Sequence, residues 1–171
     1  MNKFRMLSIL ATLATMLGLA SFSPAMTLAG GPVVHHVSAG GPDICVAMGL
    51  KPGCDANYSL TANQYADGSV TGEYSDRWRA GVEPGDGMHA VINCLSVVGN
   101  EAWISGVITR GTVNGVDLAG VPASTRVRDN GAAVNDPADE ISFTFYGDHT
   151  PCTDHPDYPL FAVPQGQVVV K

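Results

Sequence analysis

The chain lacks the short signatures by which many enzymes are recognised. It has no G-x-S-x-G elbow, no H-E-x-x-H pair, no P-loop and no EF-hand loop. It has no C-x-x-C pair either, so the usual zinc-ribbon and thioredoxin-type sites have no basis. We therefore expect a binding or structural role, and we predict no catalytic residue and no cofactor.

Positive charge and long apolar runs are also scarce. Nine Lys and Arg residues stand against sixteen Asp and Glu residues, which gives a formal net charge of −7. Nucleic acids and anionic membrane surfaces select clustered Lys and Arg, so we predict neither as a partner. No apolar stretch after residue 30 approaches the length of a spanning helix, so no membrane insertion is expected once the signal described next is removed.

Residues 1–29 have the pattern of a bacterial export signal. Two cations precede a short apolar run, and small residues follow it at the positions that a signal peptidase inspects. We expect cleavage after Ala29, with Ala25 as the second choice. Residues 30–171 are then a single acidic domain, secreted or periplasmic, with an extracellular partner or ligand.

Four cysteines lie in the mature part, and an even number in an exported chain predicts disulfides. We predict a Cys45–Cys54 bond that closes a short loop. We also predict a Cys94–Cys152 bond that ties a strand to a late Pro-rich loop.

The remaining pattern is that of short β-strands joined by tight turns. The stretch CLSVVGNEAWISGVIT, residues 94–109, predicts a hairpin that turns at Gly99-Asn100. Asp67-Gly68 predicts a second, two-residue turn. The first hairpin is apolar on both faces, so either both faces are covered or a bulge near Cys94 switches the inward face.

About eight such strands and no helical period predict an all-β antiparallel fold, and we favour an up-and-down barrel over a sandwich. Pairing of the opening strand VVHHVSAGG with the closing strand GQVVVK would remove exposed edges. The stretches 40–56 and 147–164 are expected to be ordered loops or plugs at one end. Alternation in EISFTFYG places three apolar residues inside (Ile141, Phe143, Phe145) and their neighbours outside (Ser142, Thr144, Tyr146).

Three groups of residues are candidate sites. The loop GDHTPCTDHPDYP could bind zinc, copper or nickel through His149, Asp154 and His155, with His35 or His36 as further ligands, or it could be a stapled surface loop. The acidic run from Asp129 to Glu140 could hold calcium, although Asp129-Asn130-Gly131 fits a turn better. Trp78 and Trp103 are the aromatic residues that we expect to be exposed for ligand binding.

Two other functions stay open beside the binding role. One is a metal-dependent hydrolase that uses the loop 148–157. The other is a barrel that encloses a small ligand, although the large inward side chains predict a packed interior. The two arginine pairs, Arg77/Arg79 and Arg126/Arg128, are expected to lie on solvated strand faces rather than to form a binding patch.

The chain also resembles an uncharacterised group of exported bacterial β-domains. The resemblance lies in NCLSVVGNEAWISGVITRG, the VRDNG turn, DEISF and the terminal GQVVVK, and it covers roughly residues 55–171. It implies an all-β fold and carries no activity, cofactor or catalytic residue. Cys45 and Cys54 lie outside the shared part.

Overall fold

A computed structural model describes residues 30–42, 55–78, 87–133, 135–163 and 165–171. The signal segment 1–29 lies outside these residues. The strands are β1 Val33–Pro42, β2 Asp55–Tyr65, β3 Val70–Trp78, β4 Gly87–Val98, β5 Glu101–Val113, β6 Val116–Asp117, β7 Pro122–Arg128, β8 Glu140–Ser142, β9 Phe145–Tyr146, β10 Leu160–Ala162 and β11 Gln167–Val170. A 3-10 turn, Cys152–Asp154, precedes β10. No helix in the described part is long and apolar enough to cross a membrane.

All strands belong to one antiparallel sheet that curls into a half-barrel. Its order is β10-β8-β7-β5-β4-β3-β2-β1-β11, with β6 added beside β5 and β9 beside β7. The all-β antiparallel prediction is confirmed. The structure describes eleven strands rather than about eight. The three strands that were not predicted separately, β6, β9 and β10, are only two or three residues long, and such short strands give little signal in the sequence.

The first and last strands pair as predicted, with Val37 opposite Val170. This pairing does not remove the sheet edges, because β10 and β11 remain at the two ends of the strand order. Only residues 163–166 connect those two end strands. A connection of this length spans less than about 20 Å, so the sheet must bring its two ends near each other.

Side-chain carboxylates fill part of the gap between these ends. Asp139 Oδ2 accepts a hydrogen bond from the Val168 amide at 2.7 Å, and Asp129 Oδ2 accepts one from the Val170 amide at 3.0 Å. The second oxygen of each acid accepts a hydrogen bond from a nearby backbone amide. Asp139 Oδ1 accepts from the Asn130 amide, and Asp129 Oδ1 accepts from the Gly131 amide. We call this contact the carboxylate seam. It gives two acids of the predicted calcium run a structural role.

The two predicted hairpin turns are present. Gly99 has a φ of +61° at the first central position of the β4–β5 turn, as a primed turn requires. The β2–β3 turn is longer than the predicted two-residue form. The Tyr65 amide donates to the Ser69 carbonyl and Gly68 has a φ of +83°, which is a three-residue turn closed by a glycine bulge.

The alternative of a bulge near Cys94 is also confirmed. The β4–β5 register shifts between Ile92 and Cys94, so Asn93 has no partner residue on β5. Before the shift Met88, Ala90 and Ile92 are buried, and after it Leu95 is buried. The bulge therefore moves the inward face from even to odd residue numbers.

The core consists of aliphatic residues and alanines from nearly every long strand. Its largest fully buried apolar side chains are Leu60, Ile104, Ile108, Ile141, Val37 and Val127. Branched and small side chains can pack densely inside a narrow barrel. The expectation of a filled interior stays a prediction.

The predicted parity of EISFTFYG is wrong at Ser142 and Phe143, although Tyr146 is exposed as predicted. The strand stops at Ser142 and resumes at Phe145, so alternation does not continue through the break. Ser142 is buried, whereas Phe143 is 41% exposed. Phe145 stacks on Tyr158 in the late loop, with 4.2 Å between ring centroids.

We predict that Asp139→Asn lowers the free energy of unfolding by about 2–4 kcal/mol, because the new amide group must face one of two backbone donors that the carboxylate accepts. Urea unfolding measures the change. Asp136→Asn is the matched control, since Asp136 is exposed and accepts the Ala133 amide within its own turn. Equal unfolding midpoints for the two variants would contradict a structural seam.

Candidate functional site

The first candidate region is the loop 147–159, which we call the stapled loop. It packs against β4, β5 and β7 as an ordered loop, which is one of the two forms predicted for this stretch. The predicted Cys94–Cys152 disulfide is present and fixes the loop to β4. The other predicted bond, Cys45–Cys54, lies outside the described residues.

The stapled loop covers Trp103. The indole Nε1 donates to the Pro156 carbonyl at 2.9 Å, and the His155 ring lies over the indole with 4.4 Å between centroids. Trp103 is consequently only 7% exposed, so its predicted exposure is wrong. The side chain of Trp78, the other predicted ligand-binding residue, lies outside the described part.

Arg126 connects the stapled loop to the strands. Its guanidinium forms ion pairs with Glu101 at 2.6 Å and Asp157 at 2.9 Å, and it lies 5.1 Å from the centre of the Trp103 ring. Its side chain is 13% exposed, so the prediction of a solvated arginine is wrong here. Partial burial raises the pKa of Glu101, but hydrogen bonds from Arg126 and Arg128 outweigh this and hold that pKa below its usual range.

The predicted metal ligands do not converge. His149 and Asp154 are exposed, and His155 Nε2 lies 2.8 Å from Ser96 Oγ. Among the described residues, no group of three His, Cys, Asp or Glu side chains could hold a metal ion. His36 faces Asn63 at 2.8 Å on another wall of the barrel.

The contact between Ser96 and His155 raises the question of a nucleophile and its base. Such a pair needs a third group that orients the imidazole and donors that stabilise a developing oxyanion. In the part of the chain that the structure describes, no carboxylate bonds to the other ring nitrogen of His155. The pair is explained by loop docking on Trp103.

The second candidate region is a polar cluster in the barrel interior, formed by Tyr74, Asp76 and Thr144. Asp76 Oδ2 accepts hydrogen bonds from Thr144 Oγ1 at 2.9 Å and from the Tyr74 hydroxyl at 3.2 Å. The two hydroxyls lie 2.6 Å apart. Tyr74 and Asp76 are on β3, whereas Thr144 lies between β8 and β9, so the cluster crosses the barrel.

Thr144 was predicted to face outward, and this is wrong for the same reason as for Phe143. The interruption between β8 and β9 frees its hydroxyl to reach β3. The inward direction of the Asp76 side chain, by contrast, could have been predicted from the sequence. It has the same parity as Tyr74 on β3, so an acid stands at an inward position of an alternating strand.

The other carboxylate oxygen of Asp76 is the unusual feature. Asp76 is 9% exposed, and within the described residues its Oδ1 atom has no hydrogen bond of good geometry. Burial raises the pKa of Asp76 to about 6, although the hydrogen bonds from Thr144 and Tyr74 and the nearby Arg77 amide act in the opposite direction. Buried polar groups are usually satisfied, so a donor from beyond the described residues is expected at this oxygen.

The neighbours of Asp76 are aromatic and apolar. Tyr58 on β2 and Met88 on β4 are its partners on the two adjacent strands, and both are buried. The Tyr58 hydroxyl lies where two glycines leave room for it. A Cβ atom would be 2.8 Å from this oxygen at Gly41 and 2.9 Å from it at Gly166.

Comparisons with known proteins identify no relative: no protein-family model, curated protein or solved structure matches the chain. The resemblance to exported bacterial β-domains therefore stays a prediction.

We predict that removing the disulfide with Cys94→Ala and Cys152→Ala lowers the free energy of unfolding by about 2–4 kcal/mol, because the unfolded chain loses a long cross-link. The stapled loop should stay docked, since Trp103, Arg126 and Tyr158 still hold it. Urea unfolding measures the first effect, and the accessibility of tryptophan to acrylamide measures the second. Strong quenching in the native double variant, absent in the wild type, would contradict the docking contacts.

We predict that Asp76→Asn changes the pH dependence of stability. The pKa of Asp76 rises from 3.8 to about 6 on folding, so its proton binds the folded state more tightly. The resulting stabilisation is present below about pH 4, declines as the pH rises towards 6, and is absent above that pH. The total change is about 3 kcal/mol.

Unfolding by urea at several values between about pH 4 and 7 measures this effect. Asp76→Asn should remove the decline and be more stable than the wild type at neutral pH. Glu73→Gln is the matched control, because Glu73 is exposed on the opposite face of the same strand. Parallel stability curves for wild type and Asp76→Asn would show that Asp76 does not titrate in this range.

Proposed function

We propose that this chain is an exported, disulfide-stapled binding domain, and that it holds a small ligand at the Asp76 cluster rather than catalysing a reaction. The observation that carries the proposal is the open Oδ1 oxygen of a buried acid in an aliphatic interior. Ligand sites commonly combine apolar walls with a few polar groups that fix orientation.

The position of the cluster supports the same proposal. Asp76 lies close to the end of β3, and its neighbour Tyr58 lies close to the start of β2. The core residues with the lowest exposure come from the middle of the barrel, so the cluster lies towards one end of the interior. A site near a barrel end is closer to solvent than a site at the centre of the packed core.

The energetics of Asp76 point in the same direction. A buried carboxylate without full compensation destabilises the fold, and an amide or an aliphatic side chain would avoid that cost. A bound ligand that supplies a donor would offset it. Functional sites commonly retain such locally unfavourable groups.

Export is supported by the Cys94–Cys152 disulfide, since such bonds form and persist in oxidising compartments. A catalytic role has less support. The metal ligands suggested by the stapled loop are separated, and Ser96 and His155 lack the further groups that nucleophilic catalysis requires.

The test is a thermal-shift screen of the mature protein against a diverse set of small molecules. Compounds that raise the melting temperature of the wild type should lose most of this effect with Asp76→Asn and keep it with Glu73→Gln. Mass spectrometry of the purified protein before and after denaturation checks for a ligand retained from the host. Ligands that stabilise all three proteins equally would place binding elsewhere and overturn the proposal.

A further inference from the structure

We propose that Asn57 is an acceptor for N-linked glycosylation, in which an oligosaccharide is transferred to its side-chain amide after export. The modification rests on the export that the proposed function includes, and it is independent of any ligand at Asp76. Two observations support it, namely a sequence motif around Asn57 and the place of that motif on the outer surface of the sheet.

The motif is the stretch DANYS, residues 55–59. Asn57 is followed two positions later by the hydroxyl residue Ser59, and the residue between them is not proline, which is the pattern that oligosaccharyltransferases accept. No other asparagine of the chain is followed by serine or threonine at this spacing. Asp55 adds an acid two positions before the asparagine, which one bacterial class of these enzymes requires. The motif therefore selects one residue of the chain.

The alternation of β2 turns the asparagine and the hydroxyl of the motif to solvent. Asn57 and Ser59 are exposed, whereas Tyr58 between them is buried in the core. A glycan is bulky and hydrated, so it requires a side chain that points away from the packed interior. An oligosaccharide on Asn57 would extend from the outer surface and leave the Tyr58 ring in its place.

Among the described residues, the neighbouring strands leave the surroundings of the motif open. Pro42 is the partner of Asn57 on β1, and a register shift leaves Asn57 without a partner residue on β3. Gly40, the partner of Ser59, has no side chain, and a Cβ atom there would meet only the Tyr58 carbonyl oxygen, at 3.6 Å. Proline also lacks an amide donor, so this point of the strand has one ladder donor fewer than a regular pair.

The transfer requires a co-reactant, an oligosaccharide linked to a polyprenyl diphosphate. A bond forms between Asn57 Nδ2 and the anomeric carbon of the first sugar, while the bond from that carbon to the diphosphate oxygen breaks. The lipid diphosphate leaves with the electron pair of the broken bond, and the amide nitrogen loses one proton. The step involves no oxidant or reductant. It takes place on the side of the membrane to which an exported chain is delivered.

The test is production of the full chain in a bacterium whose periplasm contains an acid-requiring oligosaccharyltransferase and its lipid-linked oligosaccharide. Intact mass spectrometry of the periplasmic protein counts the oligosaccharides on each chain. We expect a mass shift of one oligosaccharide in the wild type and its complete loss with Asn57→Gln. Asn93→Gln is the matched control and should keep the shift, since Asn93 is also exposed at a strand bulge but has no hydroxyl residue two positions later.

A second pair of variants tests the rest of the motif. Ser59→Ala should abolish the mass shift, whereas Ser59→Thr should retain it, because only the second variant keeps a hydroxyl at this position. Asp55→Ala should also abolish the shift, since the transferase used requires an acid there. Circular dichroism checks that the variants fold. If Asn57→Gln does not fold, the comparison of Ser59→Ala with Ser59→Thr still decides the proposal.

The outcomes separate this inference from the proposed function. Periplasmic protein of unmodified mass, or a mass shift that persists with Asn57→Gln, overturns the glycosylation site. Cell fractionation of the full chain tests export separately, and a chain that stays in the cytoplasm contradicts that part of the proposed function. Such a chain is then produced with a standard secretory signal before residue 30, so that the transferase still meets Asn57. Neither result depends on a ligand at Asp76.

Discussion

The fold depends on how the two ends of one curled sheet meet. Strands β10 and β11 are the ends of the strand order, yet four residues connect them, so they cannot separate. They are not joined to each other by a regular ladder. Asp129 and Asp139 instead accept the amides of Val170 and Val168. Two carboxylates thus satisfy donors that would otherwise form part of an open edge, which is the kind of surface that natural sheets protect.

The stapled loop and the interior cluster satisfy their polar groups to different degrees. Outside the barrel, Arg126 has two acidic partners and a carbonyl partner, and Trp103 donates to Pro156. Contacts of this kind fix a loop and leave little capacity for a ligand. Inside the barrel, the two hydroxyls and Asp76 Oδ2 lie within hydrogen-bond distance of one another, and Asp76 Oδ1 has no hydrogen-bond partner among the described residues. The open acceptor therefore lies in the interior rather than in the His-rich loop.

Much of the fold could be predicted from sequence because its signals are local. Turn residues such as Gly99 impose their own backbone geometry, and a run apolar on both faces left a bulge near Cys94 as one of two alternatives. The candidate sites were harder, because exposure depends on what packs above a residue. Nothing around Trp103 in sequence indicates that Pro156, more than fifty positions later, will cover it.

The wrong prediction for Thr144 explains why the interior cluster could be predicted from pattern only at Tyr74 and Asp76. Alternation predicts side-chain direction only while a strand is continuous, and the sheet has a break between Ser142 and Phe145. That break has two effects, since it turns Phe143 towards solvent and sends the Thr144 hydroxyl across the barrel to Asp76. A regular strand here would bury one more aromatic ring and leave Asp76 with fewer donors. The interruption thus leaves the Phe143 ring partly exposed, and it provides the Thr144 hydroxyl as a hydrogen-bond donor to the buried Asp76.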